Sequence, residues 1–138
     1  MTQLNRYLRL AADAKTRIRE ISVSELKRAP LPAGTLLIDV REGDEFRAGH
    51  IPGAIHLSRG VIEGRIEELA PALDTPIVCY CAAGNRSALV ADNLQRMGYT
   101  DVRSVAEGFK GWIENPGTVQ TAATWDPMRE HNSDKHIP

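Results

Sequence analysis

The chain has no apolar run approaching the ~20 residues needed to cross a bilayer. Its opening, Met1-Thr2-Gln3-Leu4-Asn5-Arg6-Tyr7, has no basic region leading into an apolar core. Neither a membrane span nor a secretion signal is expected, and the sequence reads as cytoplasmic. It also lacks a charge excess. Lys and Arg number 17 against 18 Asp and Glu, for a formal charge of -1, so nothing electrostatic points to nucleic acid or an acidic membrane surface as partner. A small molecule or another protein is the default partner. No internal repeat or low-complexity tract is visible.

Cysteine is scarce, with only Cys79 and Cys81 in the chain. Side chains at i and i+2 of a strand share a face but stand roughly 6.5–7 Å apart along the extended backbone, too far for ordinary disulfide geometry. A structural disulfide is therefore not expected. Two thiols without a nearby His pair also fall short of a full zinc ligand set, and His131 and His136 lie in the tail away from other ligand-type residues. No metal is expected.

What is present reads as a single domain of 138 residues, long enough to bury roughly two-thirds of its unfolded surface. Residues 1–16 suggest an amphipathic accessory helix with Leu4, Tyr7, Leu8 and Ala11 on one stripe. Residues 17–115 alternate strand-like and helix-like stretches. Strands are predicted at 17–21, 36–40, 54–57, 77–81 and 102–105; helices are predicted near 24–27, from 44, and at 62–69, 87–97 and 108–113. This alternation implies an α/β fold with a mostly parallel sheet of about five strands and helices on both faces. Residues 116–138 are polar and aperiodic, an irregular or extended tail with Trp125 as a possible anchor or, on the competing reading, a disordered one.

Cys81 ends the apolar run Ile77-Val78-Cys79-Tyr80-Cys81 and opens the loop Ala82-Ala83-Gly84-Asn85-Arg86 ahead of Ser87. A thiol between a strand end and a helix start faces unpaired backbone N–H groups and the positive end of a helix dipole, and both favour thiolate. Ala82 and Ala83 are small enough for a tight curl, and Gly84 can supply a positive φ. Asn85 tolerates the same region, and Arg86 adds a fixed cation. Ser87 is a good helix N-cap, and Gly98 closes the predicted helix. The loop reads as an anion cradle with a nucleophile at its rim.

At these residues the sequence resembles the rhodanese family of sulfurtransferases, whose loop pattern Cys-x-x-Gly-x-Arg-Ser/Thr stands here as Cys81, Gly84, Arg86 and Ser87. The resemblance extends in the family's order to Leu37-Ile38-Asp39-Val40-Arg41-Glu42, Glu45-Phe46, Gly49-His50-Ile51-Pro52-Gly53-Ala54-Ile55, Glu107-Gly108-Phe109 and Gly111-Trp112. It implies a sulfurtransferase in which Cys81 attacks a sulfane sulfur and carries it as a persulfide. Ala82, Ala83, Gly84, Asn85, Arg86 and Ser87 would form the substrate cradle, with Arg86 as the electrostatic partner. It implies thiosulfate or a low-molecular-weight persulfide as donor, a thiol or cyanide as acceptor, a sulfur-accepting protein as a further partner, and no cofactor. Asp39 and Arg41 are expected to support the loop by pairing with each other or with Glu45 rather than to touch substrate.

Two alternatives stand beside this reading. A rhodanese-like module that only binds or regulates would usually have replaced the loop Cys. A cysteine phosphatase or arsenate reductase needs one more residue between Cys and Arg and usually a His before the Cys, where this chain has Tyr80. With Ala82 and Ala83 after the Cys, Arg86 is the loop's only cation, which leaves room for donors other than a dianion. Cys79 and His56 are expected in the core, His50 in a turn held by backbone hydrogen bonds, and Phe109 and Trp112 as core closure.

Overall fold

A computed structural model describes residues 5–115 and 119–121 of the chain. Among these the elements run α1 (Arg6–Lys15), β1 (Arg19–Ile21), α2 (Val23–Arg28), β2 (Leu36–Asp39), α3 (Gly43–Ala48), β3 (Ile55–His56), α4 (Ile62–Leu69), β4 (Ile77–Tyr80), α5 (Asn85–Arg96), β5 (Val102–Val105) and α6 (Gly108–Glu114). The five strands pair in parallel in the order β1-β5-β4-β2-β3. The predicted alternation is realised as a parallel sheet with helices on both faces. Trp125, His131, His136 and Leu4 lie outside the described residues.

All four residues of β4 are buried, as befits the central strand of a sheet covered on both sides. The strand period divides them. Ile77 and Cys79 face a core shared with Ile62 and Ile66 of α4 and Val90 and Leu94 of α5, while Val78 and Tyr80 face Val23, Phe46 and Phe109 from α2, α3 and α6. Cys81 continues the first parity and belongs to the α4/α5 side.

Local signals set the helix ends. Ser22 and Glu25 form a reciprocal capping box at the start of α2, and Ala29, extended, ends that helix before Pro30. Of the stripe expected on α1, Ala11 is buried and Leu8 half-buried, with Ala14 buried beside them, whereas Tyr7 is exposed. Small residues let α1 approach α5 closely, and the approach is fixed by Arg17, whose Nε and Nη2 donate to Asp92 at 3.1 and 2.8 Å. Of the tail, Gln120 exchanges two backbone hydrogen bonds with His50, at 2.8 and 2.9 Å. Among the described residues no helix is long and apolar enough to cross a membrane.

The chain leaves β2 toward β3 on one side and β4 toward β5 on the other, so the strand order reverses between β4 and β2, the kind of point at which parallel sheets gather ligands beyond their carboxyl ends. Cys81 is the first residue past the carboxyl end of β4.

Candidate active site

The loop after β4 is shaped by two glycines that nothing else could replace without strain. Gly84 has φ 92°, and a Cβ there would collide with the Ala106 carbonyl. Gly108 has φ 63°, and its Cβ would lie 2.6 Å from the Cys81 carbonyl oxygen. Their bareness lets α6 sit directly against the loop. The Phe109 N–H donates to the Cys81 carbonyl at 2.8 Å and the Lys110 N–H to the Ala82 carbonyl at 3.0 Å. With those carbonyls engaged by α6, the loop's N–H groups are left for the sulfur.

Ser87 was the expected N-cap, but α5 begins two residues earlier, at Asn85, with Gly84 as the cap residue. Gly84 has no side chain to offer, and no side-chain capping bond forms. The acceptor is instead the sulfur of Cys81: the Gly84 N–H donates to Sγ at 3.1 Å and the Ser87 N–H, in the first turn of α5, at 3.3 Å. Sulfur thus satisfies an N–H that a Ser or Asp cap would ordinarily take. The Ser87 side chain, freed from capping, turns inward, with Oγ 3.5 Å from Cys81 Sγ and 2.7 Å from Ser104 Oγ.

These contacts decide the charge state of Cys81. Burial alone would push its thiol up. The Ser87 hydroxyl and the N–H groups of Ser87, Ala83 and Gly84 outweigh it and hold the thiol below its ordinary range. Cys79 goes the other way: burial and the neighbouring Cys81 push its thiol far up, and its Sγ lies toward the carbonyls of Ser87 and Arg103, at 3.5 and 3.6 Å. The core role expected for Cys79 agrees with this environment. Around the sulfur the rim is open, with Ala83 exposed and Ala82, Asn85 and Arg86 half-buried.

Arg86 is not the free cation that the loop's composition suggests. Its Nη1 and Nη2 donate to Glu45 of α3 at 2.9 and 3.3 Å, and this fork lowers the Glu45 carboxyl below its usual range. The carboxylate neutralises much of the field that Arg86 would direct at sulfur. Glu45 is drawn into the site by a partner 41 positions away, a pairing that no local pattern predicts. Lys15, at the end of α1, donates from Nζ to Asn85 Oδ1 at 3.0 Å and joins the accessory helix to the loop; it too was not singled out from the sequence.

Asp39 and Arg41 pair with each other, as one of the two expected arrangements had it. Arg41 Nη2 donates to Asp39 at 2.8 Å and to the Gly49 carbonyl at 2.6 Å, and both residues are buried. The Arg41 guanidinium also lies 4.3 Å from the centre of the Phe109 ring. Phe109 is the residue whose N–H holds the Cys81 carbonyl. His50 stacks on Phe46 and meets the Phe46 carbonyl at 2.7 Å, while His56 meets the Arg41 carbonyl at 2.8 Å. Both are engaged by backbone, away from the sulfur.

The chain is similar to known proteins in sequence and in fold. A family described as a rhodanese-like domain matches residues 22–115. Thiosulfate sulfurtransferase GlpE of Pseudomonas syringae is 37% identical over 97 residues, covering 65% of this chain and 90% of that protein. A putative sulfur carrier protein of Bacillus subtilis, YrkF, is 33% identical over 96 residues, covering 69% of this chain and 51% of its own length. Among solved structures, a Rhodopseudomonas palustris protein of unknown function, described as a possible tyrosine phosphatase, superposes with TM-score 0.74 at 27% identity, covering 87% of this chain and 99% of that one.

Proposed function

The chain belongs to the rhodanese-like domain family, and we propose that it is a sulfurtransferase that moves a sulfane sulfur through a persulfide on Cys81. One observation carries this reading: two backbone N–H groups and one hydroxyl converge on a single sulfur atom at the carboxyl end of the central strand. Such convergence stabilises the thiolate that the covalent step requires. The relationship to a thiosulfate sulfurtransferase over 90% of that protein's length supports the same class.

The relay balances without a cofactor. The Cys81 thiolate attacks the outer sulfur of thiosulfate, a new S–S bond forms, the donor's S–S bond breaks, and sulfite leaves with the electron pair. With a low-molecular-weight persulfide the leaving group is a thiolate. A thiolate or cyanide then attacks the terminal sulfur of Cys81, giving a persulfide or thiocyanate and restoring the Cys81 thiolate. Residues 82–87 form the cradle, Arg86 with its partner Glu45 sets the charge at the rim, and Asp39 and Arg41 hold the frame. In this reading residues 17–115 are the transfer unit, 1–16 an accessory helix and 116–138 a tail, in a cytoplasmic protein whose acceptor can also be a protein thiol.

A phosphatase reading is raised by the description of the Rhodopseudomonas relative. The loop argues against it: only Ala82, Ala83, Gly84 and Asn85 separate Cys81 from Arg86, and Arg86 is already engaged by Glu45, where a phosphate would need the guanidinium fork for itself.

Intact-protein mass spectrometry after incubation with thiosulfate and, separately, with glutathione persulfide tests the proposal. Native chain gains one sulfur, about 32 Da by the atom balance of the covalent step. Cyanide discharges it, and Cys81→Ser gains none. Absence of loading by both donors, together with turnover of an aryl phosphate, would replace the sulfurtransferase reading with the phosphatase one.

A further inference from the structure

Ser104 lies outside the loop on which the site is built, yet it is tied to it. It sits on β5 in register with Cys79 of β4, has no solvent exposure, and shares the face of Val102, which packs in the α4/α5 core. A hydroxyl in such a place costs stability unless it is hydrogen-bonded. Among the described residues its recorded partner is the Ser87 hydroxyl, at 2.7 Å. Ser87, also fully buried, reaches onward to Cys81 Sγ at 3.5 Å.

The three groups form a line in which each hydroxyl has one proton to give. A thiolate can only accept. If Ser87 gives its proton to sulfur, its oxygen is free to accept from Ser104, and every proton in the line has a place. In the reverse order the Cys81 S–H points to Ser87 and Ser87 points to Ser104. The Ser104 proton is then left, among the described residues, without a recorded acceptor in a buried site. That orphaned donor is costly, and hydroxyls in series polarise one another when aligned. The forward order is favoured, and it is the order that belongs to the thiolate.

We infer that Ser104 is a positioning residue for Cys81: its hydroxyl fixes the Ser87 proton toward sulfur and thereby favours the thiolate. The inference rests on the reading of Cys81 as the nucleophile and adds to it a residue from a neighbouring strand. Among the described residues, the charged and titratable groups of the elements around the loop include Arg86 of α5 with Glu45 of α3, Cys79 of β4, Asp39 at the end of β2 with Arg41 after it, Lys15 of α1, Arg103 of β5, and Glu107 and Lys110 at the start of α6. Replacing Ser104 removes none of them.

The test is the pH dependence of Cys81 alkylation by iodoacetamide, read by peptide mass, in the native chain, Ser104→Ala, Ser104→Thr, Ser87→Ala and the Ser87→Ala/Ser104→Ala double variant, each checked for folding by circular dichroism. In Ser104→Ala the alkylation midpoint rises by roughly half a unit to one unit, a three- to tenfold loss of thiolate below the midpoint. Ser104→Thr, which keeps the hydroxyl on a β-branched residue suited to a strand, stays at or near the native midpoint. Adding Ser104→Ala to Ser87→Ala moves nothing further, because Ser104 acts through Ser87. A native midpoint in Ser104→Ala, or an equal shift with and without Ser87, overturns the inference. Sulfur loading on the same samples separates the two readings: a shifted midpoint with no loading keeps the Ser104–Ser87 hydroxyl line and removes the sulfurtransferase, whereas loading with an unshifted midpoint does the opposite.

Discussion

Cys79 and Cys81 stand two residues apart and face the same core, the first within β4 and the second just past its end, with exposures of 0% and 1%, and their chemistry is opposite. Cys79 lies within the ladder, where the groups nearest its sulfur are carbonyl oxygens. Cys81 lies just past the ladder, where the nearest groups are N–H and O–H donors. Burial pushes both thiols up, that of Cys79 from deeper in the core; at Cys81 the polarity of the immediate neighbours reverses the outcome. A buried thiol is inert or reactive according to which end of the peptide group it meets. In this chain the change of end is made by Gly84 and Gly108, which let α5 begin and α6 dock at the point where the strand stops.

The widest separation of the two environments comes from removing each sulfur. Cys81→Ser lowers sulfur transfer by about a thousandfold or more, as loss of a covalent nucleophile does. Cys79→Ala leaves turnover within about twofold and costs about 1 kcal/mol for a small core truncation. Thiocyanate formation and thermal melts measure both. Comparable activity losses in the two variants would erase the contrast.

The glycines come next. Gly84→Ala forces a Cβ against the Ala106 carbonyl at a positive φ and destabilises by about 2–4 kcal/mol in denaturant unfolding. Gly64→Ala, in α4 with open space around it, stabilises by about 0.5–1 kcal/mol instead. If Gly84→Ala melts with the native chain, the loop does not depend on the bare backbone described here.

A subtler change concerns the rim. Arg86→Ala raises KM for thiosulfate by about three- to tenfold, while a neutral alkylating agent is little affected. Glu45→Gln, which releases the guanidinium from its carboxylate, lowers that KM by about two- to threefold. Equal effects on anionic and neutral reagents would show that Arg86 acts only as a structural tie.

The smallest effect is on acid stability. The Glu45 carboxyl is lowered first by the Arg86 fork, so its contribution is present above the ordinary carboxylate range and is lost as pH falls through its folded-state value. The stability of the native chain relative to Glu45→Gln therefore shrinks on acidification, measured by urea unfolding across pH. A gap that widens in acid would contradict the sign.

Much of this was legible in the sequence. The run ending at Cys81 reads as a strand because five apolar residues in succession suit a sheet covered on both faces, and the order of elements follows from the alternation of such runs with helical spacing. The strand proved one residue shorter than read, since the Cys81 carbonyl is taken by Phe109 rather than by a sheet neighbour. Ser87 misled because a Ser before a helical stretch has the signature of a cap; here sulfur, contributed by the preceding strand, takes an N–H of the first turn. The Glu45–Arg86 and Lys15–Asn85 contacts join positions 41 and 70 apart, and Ser104 meets Ser87 only because β5 lies beside β4. Such partners are set by tertiary packing, which leaves no periodic trace.

The contrast between the two thiols can be measured in one experiment on the unaltered chain: peptide-resolved iodoacetamide labelling of Cys79 and Cys81 across pH under native conditions. The donor-lined environment predicts that Cys81 labels with a midpoint below that of an ordinary thiol while Cys79 stays unlabelled until the protein unfolds. Labelling of both with one shared midpoint, or of Cys79 before Cys81, would contradict the account.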